Sequence, residues 1–137
     1  MTTWPLELGV EPGSARQVLV IEDNLQDALL LETAFDEVAP EVQVTRVGNG
    51  SAALGVLESG AGPWVVVLDL HLPGEESVKI LQALRAQGGD ALRVVCWSGY
   101  AHPSEVAVMC THGADQYVEK PVDLLGFFAL AERLSAL

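Results

Sequence analysis

Residues Val65-Val66-Val67-Leu68-Asp69 are apolar at four consecutive positions and end in a carboxylate. A strand with one wet face alternates apolar and polar residues, so a run that is apolar throughout needs cover on both faces. That is the signature of a central strand in a parallel sheet between two layers of helices. The run belongs to WVVVLD at 64–69, and four others resemble it: QVLVIE at 17–22, VQVTRV at 42–47, LRVVCW at 92–97 and DQYVEK at 115–120. Each is short and rich in β-branched or other apolar residues, as strands are. Helical periodicity fills the intervals at 25–38, 51–59, 77–86 and 104–111, and the stretch 124–137. The order is a strand and a helix repeated five times. With right-handed crossovers this predicts an open, doubly wound α/β fold.

The chain has 137 residues, half of them apolar, which suits one domain with one well-filled interior. Its net charge is -12, from 19 acidic and 7 basic residues. That balance excludes nucleic acid and anionic membranes as natural partners, because cationic side chains supply the main attraction to both. No stretch has the length and apolarity of a membrane span, and no cationic leader precedes an apolar core, so a soluble, cytoplasmic protein is expected. Cys96 and Cys110 have neither metal-ligand spacing nor the density of a disulfide scaffold, and both are expected to be reduced packing residues. Residues 1–15 hold two prolines and two glycines, but also Trp4, Leu6, Leu8 and Val10. They are read as an N-terminal arm, either a flexible leader or a segment that packs on the body or on a partner subunit. The domain itself is expected over 16–137.

In doubly wound sheets the ligand site lies outside the carboxyl ends of the strands. Those ends carry Glu22 and Asp23, then Asp69, then Ser98, then Lys120 followed by Pro121. Three carboxylates on one rim repel unless a cation or proton intervenes. Magnesium, or manganese in its place, is a hard cation that takes oxygen ligands and is commonly held by one or two carboxylates plus a phosphoryl oxygen. A carboxylate nucleophile, a metal, an ammonium and a hydroxyl are the parts that phosphoryl transfer to an aspartate requires.

These residues resemble the receiver domains of bacterial two-component response regulators. VIEDN at 20–24 is similar to that family's acidic pair, VLDLHLPG at 67–74 to its phosphoacceptor motif, WSG at 97–99 to its switch hydroxyl and YVEKP at 117–121 to its lysine motif. The resemblance implies a flavodoxin-like sheet in the order 2-1-3-4-5 and makes Asp69 the phosphoacceptor. It implies a metal held by Asp23, Asp69 and the backbone carbonyl of His71, with Glu22 acting indirectly. Ser98 and Lys120 would bind the phosphoryl oxygens, Tyr117 would be the aromatic switch, and the Lys120–Pro121 peptide would be cis. The implied donor is a sensor histidine kinase. IEDN, DALLLETAF and KPVDLLGFF narrow the likeness to receivers partnered with bacterial phytochromes.

Where the family commonly has Met-Asp-Gly after its proline, this chain has Glu75-Glu76-Ser77, so a left-handed turn is expected to fall at Gly74. His71 and Tyr100 stand beside the implied site and are expected to shield an acyl phosphate; for His71 the plain alternative is a solvated loop histidine. His102 and His112 read as surface residues and Trp97 as a packing residue. The last helix carries Leu124, Leu125, Phe127, Phe128, Leu130, Ala131 and Leu134, a set too broad for one buried stripe. The resemblance places phosphorylation-linked dimers on the face of the fourth helix, fifth strand and fifth helix, so a homodimer is expected there. With no residues left over for an output module, the message would pass by protein contact or onward phosphotransfer. Two other readings compete: a receiver-like scaffold that binds without being phosphorylated, and an aspartyl-phosphate phosphatase. The intact acidic set and Lys120 oppose the first, and His at position 71 in place of a second aspartate opposes the second.

Overall fold

The structure is a computed structural model that describes residues 16–59 and 65–137. The expected arm at 1–15, and Trp64 at the start of the third run, lie outside the described residues. In chain order the elements are β1 (Gln17–Ile21), α1 (Leu25–Val38), β2 (Gln43–Val47), α2 (Gly50–Glu58), β3 (Val65–Asp69), α3 (Ser77–Gly88), a single 3-10 turn (Gly89–Ala91), β4 (Arg93–Ser98), α4 (Pro103–Thr111), β5 (Gln116–Glu119) and α5 (Leu124–Ser135). The sheet runs β2-β1-β3-β4-β5, with every pairing parallel. This is the flavodoxin-like α/β fold, with β3 at its centre and all five β3 positions buried.

The double cover expected from the apolar run is present. Val18, Val20, Val65, Val67, Val95 and Trp97 face a layer built from α1 and α5, centred on Leu31, Phe35, Phe127, Leu130 and Leu134. Leu19, Ile21, Val66, Leu68, Val94 and Cys96 face the other layer, with Ala53, Leu81, Leu84 and Met109 from α2, α3 and α4. Three helices start on a side-chain cap close behind a strand. Asn24 accepts from the Asp27 N–H at 3.0 Å, Asn49 from Ala52 at 2.8 Å and Asp123 from Gly126 at 2.8 Å. Each cap satisfies one of the unpaired N–H groups of a first turn, which keeps the loops leaving the strand ends short.

Two expectations need correction. The Lys120–Pro121 peptide is trans, as are all described peptides, and not cis. Trans is favoured even before proline by about 0.5–1 kcal/mol. Here the Lys120 N–H is also fixed on the Ser98 carbonyl at 2.7 Å, and Pro121 lies against Gly126, where a Cβ would come within 2.8 Å of the proline Cβ. Cys110, expected to pack, is exposed, although both cysteines are free as anticipated. The reason is the shallow seating of α4, which buries Met109 alone.

Candidate functional site

Strand register and pleat decide what meets at the rim. Ile21 pairs with Leu68, so Glu22 comes level with Asp69; Asp69 pairs with Trp97 and Ser98 with Glu119. Side chains alternate faces with a period of two. Glu22 is therefore in phase with Val18 and Val20, Asp69 with Val65 and Val67, and Lys120 with Val118, all on the α1–α5 side. Ser98 is in phase with Val94 and Cys96 on the opposite side. The pleat separates a charge cluster from a hydroxyl, and the hydrogen bonds agree.

In the charge cluster, Glu22, Asp23 and Asp69 each offer an oxygen within 4.8 Å of the others. Glu22 and Asp69 are buried, and Asp23 is exposed. The Lys120 ammonium lies 2.8 Å from Glu22 Oε1, 2.9 Å from Asp27 Oδ2 and 3.9 Å from Asp69 Oδ1. It also sits 5.2 Å from the ring centroid of Trp97, whose ring stands perpendicular to that of Phe127. Burial pushes the Glu22 carboxyl up to about 7, with Asp69 adding to the rise while Lys120 and the Asn24 N–H oppose it. Burial alone would lower the Lys120 pKa, but Glu22, Asp27 and Asp69 outweigh it and leave the ammonium above its ordinary value. One ammonium thus serves three carboxylates, and a further divalent cation would relieve the excess. The donor set is all oxygen, so it fits a hard ion.

Opposite this cluster, the buried Ser98 hydroxyl is 3.0 Å from the Tyr117 hydroxyl, and Tyr117 is half-buried against the α2–α4 layer. The loop after β3 is tied down at several points. The His71 N–H donates to Asp69 Oδ1 at 3.1 Å, Gly74 takes the left-handed conformation expected of it (φ +73°), and Glu75 accepts from the Gly50 N–H at the start of α2 at 2.9 Å. The Ser77 hydroxyl lies 2.8 Å from the Leu70 carbonyl and 3.1 Å from that of Asp69, pointing back at the strand end. The His71 ring reaches Glu105 on α4 at 3.1 Å, and Tyr100 is exposed. The His102 N–H and the His71 ring hold the Glu105 carboxyl below its usual range, in that order of weight.

The sequence-predicted residues Glu22, Asp23, Asp69 and Lys120 therefore come together, with His71 on the adjoining loop and Ser98 paired with Tyr117 across the pleat. Sequence reasoning missed Asp27, which reads as an ordinary first-turn acid near a helix N-terminus. It also missed Arg46, whose guanidinium donates to the Glu22 carbonyl at 3.1 Å and the Asp23 carbonyl at 3.3 Å. Ser77 and Glu105 were missed as well. Asp27 carried one weak signal, its place one helical turn beyond the acidic pair.

A sequence model of the response regulator receiver domain matches residues 18–130. The sensory transduction protein RegX3 of Mycolicibacterium smegmatis is 35% identical over 106 residues, covering 76% of this chain and 43% of that protein. The sensor histidine kinase GacS of Pseudomonas protegens is 28% identical over 112 residues, covering 79% of this chain and 12% of the kinase. Among the first curated relatives it matches, the chain spans between 12% and 59% of their length. The phosphorylated cyanobacterial phytochrome response regulator RcpA superposes with a TM-score of 0.75 at 21% identity, covering 86% of this chain and 89% of that one. Sequence match, strand order and the acidic rim all agree: the chain belongs to the response regulator receiver domain family, the phosphoacceptor domain of two-component signalling.

Proposed function

We propose that Asp69 accepts a phosphoryl group from the phosphohistidine of a sensor histidine kinase. The observation that carries this reading is a buried Asp69 with Glu22, Asp23 and Lys120 gathered around it. A carboxylate oxygen of Asp69 attacks phosphorus, the P–N bond of the donor breaks, and the leaving imidazole takes up a proton. Asp23, Asp69 and the His71 carbonyl would hold magnesium or manganese, with Glu22 supporting indirectly, and the ion would neutralise charge on the transferring group. Lys120 would pair with one phosphoryl oxygen. Ser98 would exchange its Tyr117 contact for another, moving the two-state equilibrium of the α4–β5 face.

Acetyl phosphate with magnesium, followed by intact mass, tests the assignment. A single phosphate adduct is expected on the parent protein and none on Asp69→Asn. An unmodified parent would favour the scaffold reading, and steady phosphate release from other substrates would favour a phosphatase.

The donor must bring its phosphohistidine to this rim, and exposed Leu25 and Leu29 on α1, with Val122 ahead of α5 and Leu124 and Leu125 at its start, give it an apolar surface to dock on. The narrower pairing with a phytochrome kinase rests on IEDN, DALLLETAF and KPVDLLGFF, and faster phosphotransfer from such a kinase than from unrelated ones would support it. His71 and Tyr100 would prolong the acyl phosphate, so replacing both with alanine should shorten its half-life. A homodimer would form through α4, β5 and α5, with exposed Val108 on that face; sedimentation tests it, and runs before and after acetyl phosphate show whether phosphorylation drives it.

A further inference from the structure

We propose that Asp27 is a positioning residue that holds the Lys120 ammonium away from Asp69 until the phosphoryl group arrives. The inference rests on Asp69 being the phosphoacceptor and goes beyond it to how the lysine is kept in reserve. Lys120 is 2.9 Å from Asp27 but 3.9 Å from Asp69, and its one contact with full hydrogen-bond geometry among the described residues is to Asp27. The two residues are 93 positions apart and meet because α1 lies on the face of the sheet to which Lys120, at the end of β5, is in phase. Asp27 is not part of the cluster of Glu22, Asp23 and Asp69, so neutralising it leaves the candidate metal ligands intact.

An ammonium has three donors. Glu22 and Asp27 occupy the near positions, and Asp69 is left at long range. When acetyl phosphate is the donor, a carboxylate oxygen of Asp69 forms an O–P bond as the bond between phosphorus and the acetate oxygen breaks, and acetate leaves without taking a proton from the protein. Negative charge then builds on phosphoryl oxygens beside Asp69, while Asp27 draws the ammonium toward itself and away from that charge. Asp27 therefore competes with the transition state for the same cation, which raises the barrier to transfer. Glu22 holds the ammonium as closely, at 2.8 Å, but it belongs to the acidic cluster itself, so Asp27 is the one partner of Lys120 that can be neutralised without touching that cluster.

The test is the initial rate of adduct formation with acetyl phosphate and saturating magnesium, read by intact mass at raised ionic strength so that long-range repulsion of the anionic donor is screened. Asp27→Asn is expected to react about two to five times faster than the parent, the size of effect that a single solvent-accessible ion pair supplies. Asp27→Glu, which restores the charge, is expected to return close to the parent rate, a rescue that general loosening of α1 would not produce. If Asp27→Asn does not fold, Asp27→Ser takes its place. An unchanged or slower rate in the neutral variant overturns the inference, as does an Asp27→Glu rate equal to that of Asp27→Asn. A parent that forms no adduct overturns the phosphoacceptor reading itself, an outcome distinct from an adduct whose rate ignores Asp27.

Discussion

Glu22 shows how one buried side chain links protons, metal and stability. Its folded-state pKa of about 7 lies above the ordinary carboxyl value, chiefly because burial penalises the charged form. The protonated form is therefore favoured by folding. The stabilisation it brings is complete below the ordinary value of 4.5 and is lost as pH rises through about 7. Without divalent ions, thermal melts of the parent should fall across that window relative to Glu22→Gln, which stays neutral. Magnesium should bind more tightly as pH rises through the same window, because the proton must leave as the acidic cluster takes up a cation. Calorimetric titrations at several pH values check this, and a flat dependence in Glu22→Gln is the expected control. The acidic pair was legible because its residue types at a strand end point to a hard cation. The raised pKa was not, since it comes from packing against distant segments.

At the scale of elements, the loop between β3 and α3 is the part most particular to this chain. Glu75-Glu76-Ser77 is a departure in sequence, but two of the three residues make fixed contacts: Glu75 caps α2, and Ser77 turns its buried hydroxyl back on the end of β3. Ser77→Ala removes that donor and leaves carbonyls without it, at an expected loss of about 1–3 kcal/mol in urea unfolding. The loss should come with weaker magnesium binding if the loop carries the His71 carbonyl into the site. Element starts were readable at the caps Asn24 and Asp123. α1 starts after Asn24 as expected, while α4 begins at Pro103, one residue earlier than its periodicity alone indicates, because proline suits a first helical position. The exposed side of α4 was not readable, since its sequence does not say how deeply the helix sits on the sheet.

For the molecule as a whole, α1 and α5 share one layer that also supports the charge cluster. Phe127 meets Trp97 edge-on with ring centroids 6.2 Å apart, and Lys120 lies over the same indole. Phe127→Ala should cost about 3–5 kcal/mol in global stability, as large-to-small changes in a packed interior do. Because the cavity opens beneath Trp97, the variant should also slow phosphorylation under conditions where it is still folded, and urea unfolding beside adduct rates separates the two effects. The breadth of apolar residues in α5 finds its explanation here. Phe127, Leu130, Ala131 and Leu134 are buried, whereas Leu124 and Leu125 project at the end nearest the strand rim. The surplus apolar surface thus includes a patch beside the candidate site, in addition to any on the face first expected to dimerise.

The sequence by itself determined the alternation of strands and helices, the doubly covered centre of the sheet and the polar residues at the strand ends. Those are local properties, written in periodicity and in which residue types follow each apolar run. Tertiary structure alone decided which of those residues touch. Parallel register and the two-residue pleat put Glu22, Asp69 and Lys120 on one side and Ser98 with Tyr117 on the other. The seating of α1 over that face of the sheet then brought Asp27 to Lys120, at the end of β5, across 93 residues. Contacts of that kind depend on how whole elements are seated, and no spacing within either segment specifies them.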